Sequence, residues 1–211
     1  MATPRGGAGS AKGAQRRQQA LEAALACISE RGIHDTRVSD IAERAGMSPG
    51  HVLYYFGSKR QLLAEVLRWN EDRFHEQLRA ELGRARTARQ RLERLIRASV
   101  PSGRGDPQWL LWLEVWANAP HDPDLLRDQE HHETRFRVLL EQVIREGQAL
   151  GEFDRSLDPV RTAYRLSALI DGLAVQVAIG APAMEPRTMR RIALEEVASI
   201  AVDARTDGRV P

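Results

Sequence analysis

The stretch TRVSDIAERAGMSPGHVLYYFGSKRQLL, residues 36–63, decides the fold, because it predicts two short helices on either side of a tight turn. Apolar residues recur at three- and four-residue spacing over residues 38–45, as they do on the buried face of a helix. Gly46 then permits a sharp turn, and Ser48 and Pro49 are the residue types expected at the cap and first position of the next helix. Two short helices joined in this way form a helix-turn-helix.

Helical periodicity extends through almost the whole chain, and no run of alternating apolar and polar residues bounded by turns indicates a strand. A helix over residues 15–31 precedes the motif, with Gly32 at its expected end and Thr36 as the expected N-cap of the following helix. Later helices are predicted near residues 59–82, 88–100, 109–119, 123–150, 159–179 and 187–203. We therefore expect an all-α fold.

The second helix of the motif is predicted to turn its most distinctive side chains toward solvent. Val52 and Phe56 are its expected buried residues, which leaves His51, Tyr54 and Tyr55 on the outside. A purely structural helix of this length has little use for two tyrosines and a histidine in water, whereas these side chains can bond base edges and phosphates. The pattern favours DNA binding, although many helical corners satisfy the general motif without touching DNA.

The helix ends next to this face offer phosphate contacts. Gly50 lets the first turn of the helix approach DNA closely, and the N–H groups of that turn can donate to a phosphate. Ser58 and Lys59 open the next helix, where the N–H groups, the helix dipole and the ammonium together favour an anion. A charged helix start without any DNA contact is the alternative interpretation of Lys59.

Charge and cysteine content narrow the class of protein. The 211 residues include 31 basic and 29 acidic side chains, and residues 1–60, with nine basic and five acidic ones, form the basic end. Cys27 is the single cysteine, so no internal disulfide can form, and a reducing cytoplasm is the expected location. The most apolar stretch, residues 166–179, is too short and too polar to span a membrane.

Residues 36–63 resemble the DNA-binding region of the TetR family of bacterial regulators. The shared features are the threonine before the second helix, Asp-Ile-Ala, the Ala-Gly turn, Ser-x-Gly, the aromatic pair ending in phenylalanine, and lysine followed by leucine. Leu53 stands where many members of the family have tyrosine, which is closer to the BetI-like subgroup. The resemblance implies that the second helix of the motif enters a DNA groove.

The resemblance also implies roles for individual side chains. Tyr54 and Lys59 are expected to touch the DNA backbone, and His51, with Tyr55 as a second candidate, is expected to reach the bases. Arg37 stands where a small hydroxyl residue is common, which leaves its phosphate contact open. The expected DNA-binding residues are Arg37, Ser48, Gly50, His51, Tyr54, Tyr55 and Lys59.

The second half of the chain is similar to BetI-type C-terminal domains, which implies a helical ligand-binding and dimerisation domain. The similar segments are WLLWLEVWANAPHDPDL at 109–125, GEFDRSLDP at 151–159 and ALIDGLAVQVAIG at 168–180. We therefore expect an N-terminal three-helix DNA-binding domain followed by a larger helical domain. The expected boundaries are a flexible basic arm at 1–14, a DNA-binding domain at 15–67, an effector-binding and dimerisation domain at 68–203 and a polar tail at 204–211.

Two helices of this second domain are candidates for a dimer interface. Residues 159–179 form a helix that is apolar nearly all round, with small residues that permit close helix approach. Pairing it and the last helix with their copies would form a four-helix interface, and a two-fold dimer matches a palindromic operator. Packing within a single subunit is the alternative. The expected dimer residues are Ala168, Gly172, Val175, Ile192, Val197 and Ile200.

Aromatic side chains mark a candidate effector pocket. Trp109, Trp112 and Trp116 recur at helical spacing, and Asp171 and Gln176 interrupt an apolar helix where they could orient a ligand. An ordinary aromatic core with internally bonded polar groups explains the same pattern. The expected pocket residues are Trp109, Trp112, Trp116, Phe136, Leu140, Tyr164, Asp171 and Gln176.

Together these patterns predict a DNA-binding transcriptional regulator. We expect a repressor that binds double-stranded operator DNA as a homodimer and is released by an unknown small-molecule effector. The alternative is a helical small-molecule-binding or interaction protein without specific DNA binding. The sequence shows no catalytic constellation, and the Glu-His-His-Glu run at 130–133 lacks the two-histidine spacing of a helical zinc site. We expect no enzyme activity, cofactor, metal ligands or membrane contact.

Overall fold

The computed structural model describes residues 7–202, and within that range the chain forms nine α-helices. They are α1 (Gly7–Asp35), α2 (Val38–Arg44), α3 (Pro49–Phe56), α4 (Lys59–Leu82), α5 (Ala88–Ser99), α6 (Pro107–Asn118), α7 (Pro123–Ala149), α8 (Pro159–Ile179) and α9 (Pro186–Ile200). Between residues 7 and 202 no β-strand occurs, and Phe153 and Ala201 form an isolated bridge. The expected all-α fold is confirmed. None of the helices in this range combines the length and apolar character needed to cross a membrane.

Within the described range, residues 7–72 and 110–128 form the first of two compact units. Its core joins apolar side chains from α1, α2, α3, the start of α4, and α6. Leu111, Trp112 and Val115 place α6 from residue 110 onward in this unit, whereas the sequence predicts a DNA-binding domain confined to residues 15–67. The buried set includes Leu21, Ala24, Ile28, Ile41, Ala42, Val52, Phe56, Leu62, Val66 and Val115.

Helix α1 differs from the sequence prediction at both ends. It is helical from Gly7, so residues 7–14 are not the flexible arm expected from the sequence, and residues 1–6 lie outside the described range. At the other end, Gly32 has a φ of 82° and kinks the helix without ending it. The Glu114 carboxylate accepts a hydrogen bond from Ile33 N at 2.8 Å, which supports the kink from α6.

The start of α2 also corrects an expectation. Thr36 is fully buried, and its hydroxyl donates to Gly32 O at 2.7 Å, so it closes the kinked end of α1 instead of capping α2. Arg37 occupies the N-cap position, where its backbone N–H donates to the Asp40 carboxylate at 3.1 Å. Helix α2 therefore begins one residue later than a cap at Thr36 would give, and the capping group is the acid three residues into the helix.

Within the described range, residues 73–109 and 129–202 form the second unit. Its core joins the end of α4 with α5, α7, α8 and α9, and α9 packs against both α5 and α8. Val197 and Ile200 are 1% and 2% exposed in this core, which corrects their expected place in a dimer interface. Helix α9 ends at Ile200 and not at residue 203, and the predicted tail at 204–211 lies outside the described residues.

Candidate nucleic-acid interface and interior polar cluster

The turn between α2 and α3 is closed by backbone hydrogen bonds. Gly46 has a φ of 63°, and Met47 N donates to Ala42 O at 2.8 Å, so the chain changes direction immediately after α2. Val52 is fully buried and Phe56 is 3% exposed, which anchors one face of α3 in the core. The opposite face of α3 is therefore held in a fixed orientation toward solvent.

The N-terminus of α3 has the predicted cap. Ser48 is extended, and its Oγ accepts a hydrogen bond from His51 N at 3.2 Å, with Pro49 at the first helical position. Ser48, Pro49 and Gly50 are all exposed, and a Cβ built on Gly50 would meet open space. The fold itself does not require glycine at position 50, so the residue is available for close approach of another molecule.

The outward face of α3 carries side chains expected to contact DNA. Tyr54 is 80% exposed, and His51 is exposed as well. Tyr55 is half-buried: its ring stacks on His51 with centroids 5.7 Å apart and also packs against the core. This placement differs from the fully outward position expected for Tyr55, because the helix buries a wider face than Val52 and Phe56 alone. It makes His51 the better candidate for base contacts.

Leu53 is an exposed residue that the sequence identifies only as a feature of the BetI-like subgroup and not as a DNA-binding candidate. It is 39% exposed and directly precedes Tyr54 on α3. An exposed aliphatic side chain on such a helix can contact the methyl group of thymine, which is an apolar feature of the major groove. Its position between His51 and Tyr54 is the sequence signal that could have identified it.

Lys59 and Arg37 flank the motif. Ser58 Oγ accepts from Gln61 N at 3.2 Å, which confirms the predicted cap of α4. Lys59 Nζ donates to His34 O at 3.2 Å, and Arg37 is exposed at the start of α2. The Lys59 ammonium at a capped helix start is suited to a phosphate, since the helix dipole and the side chain carry the same sign of charge.

The residues expected to line an effector pocket are divided between the two units. Trp112 and Trp116 belong to the first unit, where Trp112 is 8% exposed in the core. In the second unit Tyr164 is 55% exposed, and Gln176 is exposed with its amide donating to Gly172 O at 3.3 Å. Within the second unit, the candidates in the interior are Phe136, Leu140 and Asp171, with Trp109 partly buried against the same core.

Asp171 of α8 is a partly buried carboxylate that faces polar groups. Ser167 Oγ donates to Asp171 Oδ2 at 3.4 Å. The pKa of Asp171 is raised to about 7, first by burial and then by the negative charge of Glu133, while Ser167 and the positive charge of Arg137 oppose the rise. Arg137 is already engaged by Glu133 at 2.9 Å. The second unit therefore holds a carboxylate that takes up and releases its proton near neutral pH.

Four rings from α4 and α7 cluster in the second unit. The centroid of Phe74 lies 6.0 Å from the centroids of both Phe136 and His132, and His75 lies 5.9 Å from His132. Burial lowers the pKa of His132 to about 3, and the positive charges of His75, Arg135 and His131 lower it further in that order. The His132 imidazole is therefore neutral at physiological pH.

Two family models match the chain. Residues 20–66 match the model described as bacterial regulatory proteins, tetR family, and residues 88–202 match the model of the BetI-type transcriptional repressor C-terminal domain. The HTH-type transcriptional regulators BetI of Escherichia coli strains UMN026 and SMS-3-5 are each 34% identical to the chain over 181 residues. These matches cover 81% of this chain and 87% of each relative.

Solved structures show the same likeness. A transcriptional regulator from Saccharomonospora viridis, in complex with choline, is 33% identical to this chain and superposes with a TM-score of 0.84. The match covers 90% of this chain and 100% of that chain. A TetR-family regulator from Rhodococcus sp. is 30% identical with a TM-score of 0.76 and the same coverage, 90% and 100%. A TetR transcription regulator from Haloarcula marismortui shares the fold, with a TM-score of 0.79. It is 23% identical, and the match covers 90% of this chain and 100% of that chain.

Proposed function

Because the chain belongs to the TetR family of bacterial transcriptional regulators, we propose that it represses transcription by binding a palindromic operator as a homodimer. The observation that carries the proposal is the outward face of α3, where His51 and the 80% exposed Tyr54 lie beside the open N-terminus at Gly50. A helix presented in this way fits the major groove. His51 then reads base edges, while Tyr54 and Lys59 bond the DNA backbone and fix the register.

A homodimer would use the outward faces of α8 and α9. Ala168 and Gly172 are exposed on α8, and Val175 is partly buried on the same face. On α9, Ala198 is exposed and Leu194 is half-buried, so small and aliphatic side chains continue the surface. Two copies related by a two-fold axis would bury these faces as a four-helix interface and would present two recognition helices to the two half-sites of a palindrome.

The proposed effector is a small organic cation. Asp171 supplies a carboxylate beside Glu133, and Phe74 and Phe136 supply aromatic faces in the same unit. A quaternary ammonium cannot donate hydrogen bonds, so carboxylates and aromatic faces are the groups that recognise it. The similar regulator from Saccharomonospora viridis is in complex with choline, which supports the proposal. Binding would favour a state of the dimer whose recognition helices no longer match the operator.

Changing Asp171 to asparagine should weaken the binding of choline by about tenfold or more, because the attraction between the carboxylate and the positive charge of the quaternary ammonium is lost. The wild-type affinity should also rise between about pH 6 and about pH 8, since the raised pKa of Asp171 means that the binding carboxylate forms only across this range. The charged groups Glu133 and Arg137 of α7 face the same carboxylate. Isothermal titration calorimetry at several pH values measures both effects.

Glu130→Gln is the matched control, because it removes an exposed carboxylate from α7 in the same unit. It should leave both the affinity for choline and its pH dependence unchanged. An Asp171→Asn protein that folds normally and binds choline as tightly as wild type, with the same pH profile, would remove the carboxylate from the proposed effector site. Operator binding without choline is measured separately, so a failed effector proposal leaves the DNA proposal standing.

A further inference from the structure

We propose that His75 and His132 form a binding site for a divalent transition-metal ion, with Zn²⁺ as the expected occupant. The proposal rests on α4 and α7 within the second unit and does not depend on the operator or the effector. The two ring centroids are 5.9 Å apart, and the ligand nitrogens lie within 4.8 Å of each other. Nitrogens bound to one tetrahedral zinc ion at about 2.0–2.1 Å are about 3.4 Å apart, so small side-chain rotations close the site.

The two imidazoles supply part of a tetrahedral zinc site, and His75 is only 6% exposed. Water molecules or a group of a bound small molecule would fill the remaining positions.

The surroundings of the two imidazoles suit a metal ion. Phe74 packs against both imidazoles, and Phe136 packs against Phe74, so that aromatic rings cover one side of the pair. Imidazole donors favour Zn²⁺ over Mg²⁺ or Ca²⁺, which prefer oxygen ligands.

The sequence predicts no metal ligands, and it does not indicate this pair for a physical reason. On a single helix the two adjacent histidines of the Glu-His-His-Glu run at 130–133 cannot face one ion. The structure instead brings His132 beside a histidine from a different helix, α4. A site built from two helices becomes visible only once their packing is known.

The experiment is a titration of the full-length protein with Zn²⁺ after removal of metal by a chelator. Wild type should bind one ion per chain at this site and should unfold at a higher temperature with Zn²⁺ than without it. His75→Gln and His132→Gln should each weaken the affinity by about 100-fold or more and remove the thermal shift. His131→Gln changes an exposed histidine of the same helix and should keep both properties.

Two outcomes overturn the proposal. If the wild-type protein takes up no Zn²⁺, the two histidines are only members of the ring cluster. If wild type, H75Q and H132Q bind Zn²⁺ with equal affinity, any bound ion lies elsewhere. Should the variants fold poorly, Co²⁺ bound to wild type decides the matter. A visible spectrum of four-coordinate Co²⁺ that Zn²⁺ abolishes supports the site, whereas only the weak spectrum of hydrated Co²⁺ contradicts it.

Discussion

Replacing Gly147 with alanine is expected to lower the free energy of unfolding by about 3 kcal/mol or more, because the new methyl group has no space. Gly147 is buried in α7, and a Cβ there would overlap Cδ2 and Cε2 of the Phe153 ring and lie 3.0 Å from Ala88 Cβ. Phe153 is fully buried, so it cannot move aside without leaving the core. The gain in helix propensity from glycine to alanine, about 1 kcal/mol, is too small to offset the displaced ring. Urea unfolding followed by circular dichroism measures the loss.

Gly13→Ala is the matched control for this substitution. Gly13 lies in α1, and a Cβ built there meets nothing within 4 Å, so stability should stay the same or rise slightly. A double-mutant cycle with Phe153→Ala tests the contact itself. Gly147→Ala should cost much less once the ring is absent, and an equal cost in both backgrounds would show that the two residues do not meet.

Replacing Ala168 with glutamate should dissociate the proposed dimer and abolish tight operator binding. Ala168 is exposed on α8, and a two-fold axis through this face would bring the two introduced glutamates close together without a partner. Because each monomer then holds a single half-site, the affinity for a palindromic operator should fall by about 100-fold or more. Light scattering after size-exclusion chromatography gives the mass, and a mobility-shift titration gives the affinity.

Ala80→Glu is the control for the Ala168→Glu variant, since Ala80 is an exposed alanine of α4 and lies outside the proposed interface. It should remain dimeric and bind the operator like wild type. If Ala168→Glu also remains dimeric with unchanged affinity, the outward face of α8 is not the dimer interface, and another surface must join the two copies.

The elements of the helix-turn-helix were predictable because they depend on neighbouring residues. Ser48 caps α3 through His51 N, and Ser58 caps α4 through Gln61 N, both contacts within three residues. Gly57 has a φ of 74° and ends α3 as its position suggests. Capping groups and turn glycines act over a few residues, so their sequence signals are reliable.

The features that the sequence did not foresee depend on distant parts of the chain. The kink at Gly32 is supported by the hydrogen bond from Ile33 N to Glu114, two residues that are 81 positions apart in the chain. On α9 the stripe containing Val197 and Ile200 would be apolar whether it formed a dimer interface or packed within its own subunit. The position of α9 in the second unit shows that these two side chains belong to the core of the subunit. Periodicity identifies an apolar face but not the partner that covers it.

The central proposal, that α3 reads an operator, is tested most directly by selection from random-sequence double-stranded DNA at about 0.15 M salt. Wild type should enrich an inverted repeat whose half-sites match a two-fold dimer, and His51→Ala should alter the preferred bases within each half-site. Lys59→Ala should instead lower retention on all sequences about equally. A pool that stays random, with no retention at lower salt, would contradict the proposal and favour a helical ligand-binding protein without specific DNA binding.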